Sequence, residues 1–186
     1  MHAIGVMGSD SGDSIVAAAI VADGLGVCQI LAEHSVTLTP ALCDLIATAR
    51  QHASTMGLQG PDLVIDEAAH VLLQIYVEAV RQVRLKSGLE SAAFVVIGFL
   101  GIIIRPRIAP IPAWRIGSPE LLAQGSGIQV ATGFDVDSGE GATAALLAEA
   151  AIQRCTLVPV TLTPALAVRP PEATATLHQA LAAWMD

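Results

Sequence analysis

Residues 3–23 constrain the fold more than any other part of the chain, because they read as two β-strands joined by a loop of small polar residues. The runs at 4–7 and 15–21 are short and rich in β-branched side chains, and the loop between them contains only glycine, serine and aspartate. This pattern predicts a hairpin with a wide turn. A turn signal at 23–26 then predicts a third strand over residues 27–38, so three consecutive antiparallel strands are expected.

Helical signals follow these predicted strands. Thr39 before Pro40 places a capping hydroxyl next to a proline at the first helical position, which predicts a helix to about residue 54. From residue 66 onward, apolar residues recur with helical spacing and predict a longer amphipathic helix that ends before Gly88. Four further elements are predicted: a buried strand at 94–97, a helix at 119–124, a strand at 128–132 and an Ala-rich helix to about residue 154.

The predicted order β-β-β-α-α-β-α-β-α indicates an α/β fold of the ribonuclease H-like type, with a mixed sheet flanked by helices. A chain of 186 residues can bury a good core, and one domain is the simplest expectation. We place that domain at 1–154. We interpret 155–186 as a C-terminal extension, a strand and a helix packed on the same domain.

The amino-acid composition argues against several classes of partner. Hydrophobic residues make up 53% of the chain and the mean hydropathy is +0.62, yet no run approaches the roughly 18 to 20 apolar residues that a membrane helix needs. No basic patch precedes the first apolar residues, so we expect no secretory signal and a cytoplasmic protein. A net charge of −8 with nine Lys and Arg argues against nucleic acid as a partner. The three cysteines and five histidines have no zinc-binding spacing.

The loop at 8–14 is the first segment that could carry chemistry. Its glycines and serines could expose backbone N–H groups that cradle phosphate oxygens without a lysine. Asp13 could hold the magnesium ion that accompanies phosphates, directly or through water. An ordinary polar hairpin loop is the alternative interpretation.

Two later segments also follow predicted strands. Gly98 and Gly101 lie at the end of a buried strand, where ligands often bind in α/β sheets. Core packing is the alternative, because the enclosed Phe99 and Leu100 cannot transfer protons. The turn at 134–141 carries carboxylates that could supply a general base or metal ligands: Asp135, Asp137 and Glu140. A solvated acidic turn before a helix N-terminus is the alternative there.

Taken in order, these pieces resemble the anhydro-N-acetylmuramic acid kinases, sugar kinases of the actin/hexokinase/Hsp70 superfold. That family opens with a segment like IGLMSGTSLDGIDVAL, and this chain has IGVMGSDSGDSIVAAAI from residue 4. Residues 97–106 correspond to a family segment like IGSHGQTIRHRP, and residues 115–134 to one like LQIGDPALIAERTGIPVVADF. The resemblance covers about residues 3–143.

The resemblance implies ATP and Mg²⁺ as cofactors and 1,6-anhydro-N-acetylmuramic acid as substrate, an amino sugar phosphorylated in peptidoglycan recycling. It implies that Asp135 or Asp137 activates the attacking water, and we favour Asp135. Nucleotide phosphates are expected at the hairpin loop, with Asp13 also at the metal: Gly8, Ser9, Ser11, Gly12 and Asp13. Sugar contacts are expected at four further positions: Gly98, Gly101, Arg105 and Glu140.

The chain departs from the family pattern at several positions that carry polar groups. Asp10 brings a carboxylate to the place where the triphosphate should approach, and Val16 replaces an aspartate. Phe99 and Leu100 replace a Ser-His pair. Nothing after Arg154 resembles the second domain that clamps the adenosine. These departures predict that phosphotransfer is weakened or lost. In one alternative, a separate partner chain supplies the nucleotide-binding lobe and completes the kinase. The other alternative is a silent binding or assembly module, which could form homo-oligomers.

Overall fold

The computed structural model describes residues 1–9, 11–23, 27–55, 63–104, 114–132 and 143–157. Six strands and four helices follow one another within these residues: β1 (His2–Gly8), β2 (Ser14–Ala22), β3 (Val27–Thr37), α1 (Pro40–Thr55), α2 (Leu63–Ser87), β4 (Phe94–Ile104), β5 (Trp114–Ile116), α3 (Pro119–Ser126), β6 (Val130–Ala131) and α4 (Ala144–Leu157). Of the predicted extension at 155–186, only 155–157 are described, as the end of α4. None of the helices in the described ranges is long and apolar enough to cross a membrane.

The strands form one mixed sheet in the order β3-β2-β1-β4-β5, with β6 also paired to β4. The first three strands form an antiparallel meander, whereas β4 runs parallel to β1. The outer edge of β4 is shared, because β5 pairs with its last three residues and β6 pairs with Ile97 and Gly98. The α/β class and the mixed sheet that the sequence predicts are therefore confirmed.

Helices cover both faces of this sheet. On one face, Ile4 and Val6 of β1 pack with apolar side chains of α1 and α2. On the other face, Ala3 and Met7 of the same strand pack with the alanine-rich side of α4. β1 is thus buried on both faces, which is why its sequence is apolar without alternation.

Helix α4 lies very close to the sheet at two glycines. Gly5 of β1 and Gly98 of β4 are partners in the parallel register. A Cβ atom on Gly5 would lie 1.6 Å from the carbonyl oxygen of Ala144, and one on Gly98 would lie 2.4 Å from that of Leu147. The absence of a side chain at both positions therefore lets the helix backbone rest on the two strands.

The helices agree with the capping and spacing signals in the sequence. The Ser118 hydroxyl accepts a hydrogen bond from the N–H of Leu121 at 3.2 Å, with Pro119 at the start of α3. At the other end of α3, the N–H of Gly127 donates to the carbonyl of Ala123. In α2, buried residues recur with a helical period: Ile65, Ala68, Leu72, Leu73, Tyr76, Ala79, Val80 and Val83.

The sequence-based prediction is wrong about the end of β4. The strand continues past 94–97 to Ile104. Gly101 adopts a φ of +69°, and the register against β1 shifts between Val6 and Met7, so the glycine bulges the strand instead of ending it. The predicted order also lacks β5, whose three residues follow a proline-rich stretch and are too few to give a strand signal.

Candidate functional site

The hairpin loop between β1 and β2 is folded around Ser9. The N–H of Ser9 donates to the carbonyl of Ser14 at 2.8 Å and closes the base of the loop. The Ser9 hydroxyl oxygen accepts the N–H groups of Asp13 and Ser14, both at 3.1 Å. The Ser9 carbonyl accepts the N–H of Gly12 at 2.9 Å. A single serine thus organises the loop through three of its own polar groups.

Asp13 presents an exposed carboxylate. Its Oδ1 accepts hydrogen bonds from the hydroxyls of Ser9 at 2.8 Å and Ser14 at 3.1 Å. The hydroxyls of Ser11, Ser9 and Ser14, in that order of effect, lower the pKa of Asp13 because they favour its charged form. The carboxylate is therefore ionised at neutral pH, and its oxygens are ligands of the kind that Mg²⁺ accepts.

The hydrogen bonds of the loop decide whether a phosphate fits it. Four N–H groups already donate to oxygens of the loop or its base: those of Ser9, Gly12, Asp13 and Ser14. A phosphate cradle needs several such groups turned outward together, so these four are not available to a phosphate in this conformation, and phosphate binding at the loop stays a prediction. The exposed carboxylate of Asp13 adds repulsion unless a cation lies between it and the phosphate. Asp10, the other acid of the loop, lies outside the described residues.

Arg50 of α1 lies against this loop. Its Nη1 donates to the carbonyl oxygen of Ser11 at 3.0 Å. Gly12 has a φ of +75°, and a Cβ atom on it would lie 2.8 Å from Nη2 of Arg50. No local sequence signal predicts this neighbour, because 39 positions separate Arg50 from Ser11. Sequence reasoning therefore missed it.

The two glycines predicted to contact the sugar lie inside β4 and have packing roles. Gly98 lies beneath α4, in the middle of the sheet. Gly101 lies opposite Met7, near the loop end of β1, and a Cβ atom on it would be 2.7 Å from the carbonyl oxygen of Ile116. The structure thus brings Gly101, but not Gly98, close to Gly8 at the start of the loop. Sugar binding by either residue stays a prediction.

Phe99 and Leu100 belong to the core, as the alternative interpretation of their segment predicts. They are 3% and 2% exposed. The Phe99 ring meets the Tyr76 ring edge to face, with 4.9 Å between centroids and 84° between planes. The Tyr76 hydroxyl donates to the carbonyl of Ile116 at 3.5 Å, and burial raises the pKa of Tyr76 well above its ordinary value. Tyr76 therefore stays neutral and cannot serve as a base here.

The remaining predicted site residues lie outside the described residues: Arg105, Asp135, Asp137 and Glu140. Their roles as base and sugar contacts stay predictions. Within the described ranges, no three His, Cys, Asp or Glu side chains come close enough together to hold a metal ion. The predicted magnesium site at Asp13 accordingly rests on one described carboxylate.

Comparison with known proteins supports the resemblance seen in the sequence. No protein-family model matches the chain. A curated anhydro-N-acetylmuramic acid kinase from Rhizorhabdus wittichii is 32% identical over 130 residues, which are 70% of this chain and 36% of that kinase. The chain thus spans little more than a third of the length of this relative. Over the matched residues, it is a divergent relative of the anhydro-N-acetylmuramic acid kinases.

Proposed function

We propose that this chain is a sugar kinase-like domain in which phosphate transfer from ATP is weakened or lost. The family relationship supports the kinase-like origin. The main support for weakened or lost phosphate transfer is the closure of the loop around Ser9, because N–H groups that donate internally cannot bind phosphate at the same time.

A ribonuclease H-like superfold is part of this proposal. An antiparallel meander, two helices and then a strand parallel to the first are the order expected for that superfold. The hairpin loop lies at the carboxyl end of β1, beside the carboxyl-terminal half of the parallel strand β4. Ligands of α/β sheets bind outside the carboxyl ends of parallel strands, so we place the altered site at this end.

Apolar side chains near the loop also support weakened chemistry. Phe99 and Leu100 are buried where the family pattern carries a Ser-His pair. Val16 stands at the loop end of β2 where that pattern carries an aspartate, and it packs partly buried against the α4 face of the sheet. A group that accepts or donates a proton speeds a reaction about 10²- to 10⁴-fold, so losing one lowers the rate by a similar factor.

A phosphorylation assay tests the proposal with ATP, Mg²⁺ and 1,6-anhydro-N-acetylmuramic acid, the ligands proposed for any residual activity. The Rhizorhabdus wittichii kinase serves as the active reference. We expect a rate at least about 10²-fold below that of the reference. Turnover at the reference rate that Asp13→Ala abolishes would overturn the proposal. Asp44→Ala removes an exposed carboxylate from α1 and is the matched control.

A further inference from the structure

We propose that Arg50 is a positioning residue that holds residues 11–13 of the hairpin loop in their closed arrangement by lying across Gly12. This role rests on the proposed function and deepens it, because a loop held closed keeps its N–H groups turned away from phosphate. Arg50 belongs to α1, so the closed form depends on a helix as well as on the serines of the loop.

The burial of Gly12 is the first support for this role. Gly12 is buried although its neighbours Ser11 and Asp13 are exposed. A Cβ atom on Gly12 would lie 2.8 Å from Nη2, 3.1 Å from Cζ and 3.1 Å from Nη1 of Arg50. The guanidinium of Arg50 therefore occupies the space into which a side chain at position 12 would point.

A hydrogen bond fixes the guanidinium in this place. Nη1 of Arg50 donates to the carbonyl oxygen of Ser11 at 3.0 Å. A planar guanidinium can cover a flat surface and donate from its edge at the same time, which the compact ammonium group of lysine cannot do. The contact is therefore specific to arginine.

A backbone hydrogen bond from Leu38, the residue before Thr39 at the start of α1, also holds the loop. The N–H of Leu38 donates to the carbonyl of Asp13 at 2.8 Å. This bond does not involve Arg50, so we expect it to persist when the guanidinium is removed. The proposal thus predicts local opening at Gly12 and Asp13 and not the loss of the whole hairpin.

Amide hydrogen exchange measured by NMR on the full chain tests the proposal. In Arg50→Met we expect the Gly12 and Asp13 amides to exchange about tenfold faster, because a hydrogen bond from a charged donor is lost. The amides of β1 and β2 should keep their wild-type rates. Arg50→Lys keeps the positive charge but lacks the planar guanidinium, so its loop exchange rates should fall between those of wild type and Arg50→Met. The control is Arg81→Met, which removes a half-exposed guanidinium paired with Glu78 on α2 and should leave the loop unchanged.

Gly12→Ala gives a second test, because the added methyl group would collide with the guanidinium. In the wild-type background this substitution adds both the collision and the strain of a positive φ, whereas in Arg50→Met only the strain remains. We therefore expect Gly12→Ala to speed loop exchange less in Arg50→Met than in wild type.

Three results would overturn the proposal: unchanged loop exchange in Arg50→Met, equal acceleration in Arg81→Met, or additive effects of Gly12→Ala and Arg50→Met. Each of them leaves the outcome of the phosphorylation assay unaffected. Conversely, phosphorylation at the reference rate would defeat the proposed function and leave the exchange result standing.

Discussion

Gly5 and Gly98 lie opposite each other on the parallel strands β1 and β4, and the backbone of α4 rests on both of them. The carbonyl oxygens of Ala144 and Leu147 occupy the space that side chains at these positions would fill. This contact fixes the first turns of α4 against the sheet. Two glycines in the centre of the sheet therefore set how closely α4 lies on β1 and β4.

Alanine substitutions at these glycines test the contact. We expect Gly5→Ala to lower the free energy of unfolding by about 3 kcal/mol and Gly98→Ala by about 2 kcal/mol, because backbone atoms of α4 cannot easily move aside. Gly125→Ala is the control, since the atoms nearest its Cβ belong to the side chain of Val77 and not to a backbone, and alanine favours the helix, so a change within about 1 kcal/mol is expected. Urea unfolding measures all three, and equal costs at the three sites would contradict the prediction.

The contact between the rings of Phe99 in β4 and Tyr76 in α2 gives a second prediction. Phe99→Ala should lower the free energy of unfolding by about 3 to 4 kcal/mol, because a buried ring leaves a cavity beside Tyr76. Tyr76→Phe should cost about 1 kcal/mol or less, because its hydroxyl reaches the carbonyl of Ile116 only at 3.5 Å, the far limit of a hydrogen bond. The same unfolding measurement applies, and a cost for Tyr76→Phe larger than that for Phe99→Ala would be inconsistent with this packing.

The pH dependence of stability tests the hydrogen bonds to Asp13. Because serine hydroxyls lower the pKa of Asp13 in the folded chain, the ionised carboxylate adds stability above the ordinary value of 3.8, and this is lost as the pH falls through the folded value. Wild type should thus exceed Asp13→Asn in stability at about pH 7, and the difference should shrink as the pH falls from 3.8 through the folded pKa of Asp13. Asp44→Asn controls for the removal of an exposed acidic charge. A difference that grows as the pH falls would have the wrong sign.

His34 and Lys86 give a prediction away from the loop. Lys86 Nζ lies 3.0 Å from Nδ1 of His34, and burial and the lysine charge, in that order, lower the pKa of His34 while Glu78 opposes them. Lys86→Met should therefore raise the pKa of His34 in an NMR titration, whereas Lys86→Arg should keep it low.

The sign of the stability effect follows from the same shift. As the pH falls, the unfolded chain binds the His34 proton first, near the ordinary histidine pKa of 6.5, so the folded state loses stability as the pH falls below that value. Lys86→Met should lessen this loss. A His34 pKa that does not change in Lys86→Met would show that the lysine charge has no effect on the imidazole.

The sequence predicts the parts of the fold that depend on local patterns. The apolar runs before and after the loop predict β1 and β2 because a strand buried on both faces needs continuous apolar residues. Ser118 and Pro119 predict the start of α3 because capping needs a hydroxyl and a residue that tolerates the first helical position. The resemblance of the sequence to the anhydro-N-acetylmuramic acid kinases predicts the family relationship that the comparison with the Rhizorhabdus wittichii kinase supports.

Features that depend on distant residues could not be predicted in this way. Gly101 looks like a strand end, yet its left-handed conformation continues β4 as a bulge because β5 supplies a partner to Ile102 and the residues after it. The contact of Arg50 with Gly12 joins two positions that only the packing of α1 brings together. The internal use of the loop's N–H groups is likewise a property of the folded hairpin, since the same residue types also occur in loops that bind phosphate.

Titration calorimetry of the full chain with ATP and Mg²⁺ tests the central claim most directly. The closed loop predicts no measurable heat with ATP·Mg²⁺ at about 1 mM, a concentration that detects a Kd near that value. The Rhizorhabdus wittichii kinase, titrated in the same way, controls for the competence of the assay. Saturable one-to-one binding with a Kd well below about 1 mM, weakened by Asp13→Ala but not by Asp44→Ala, would contradict the account.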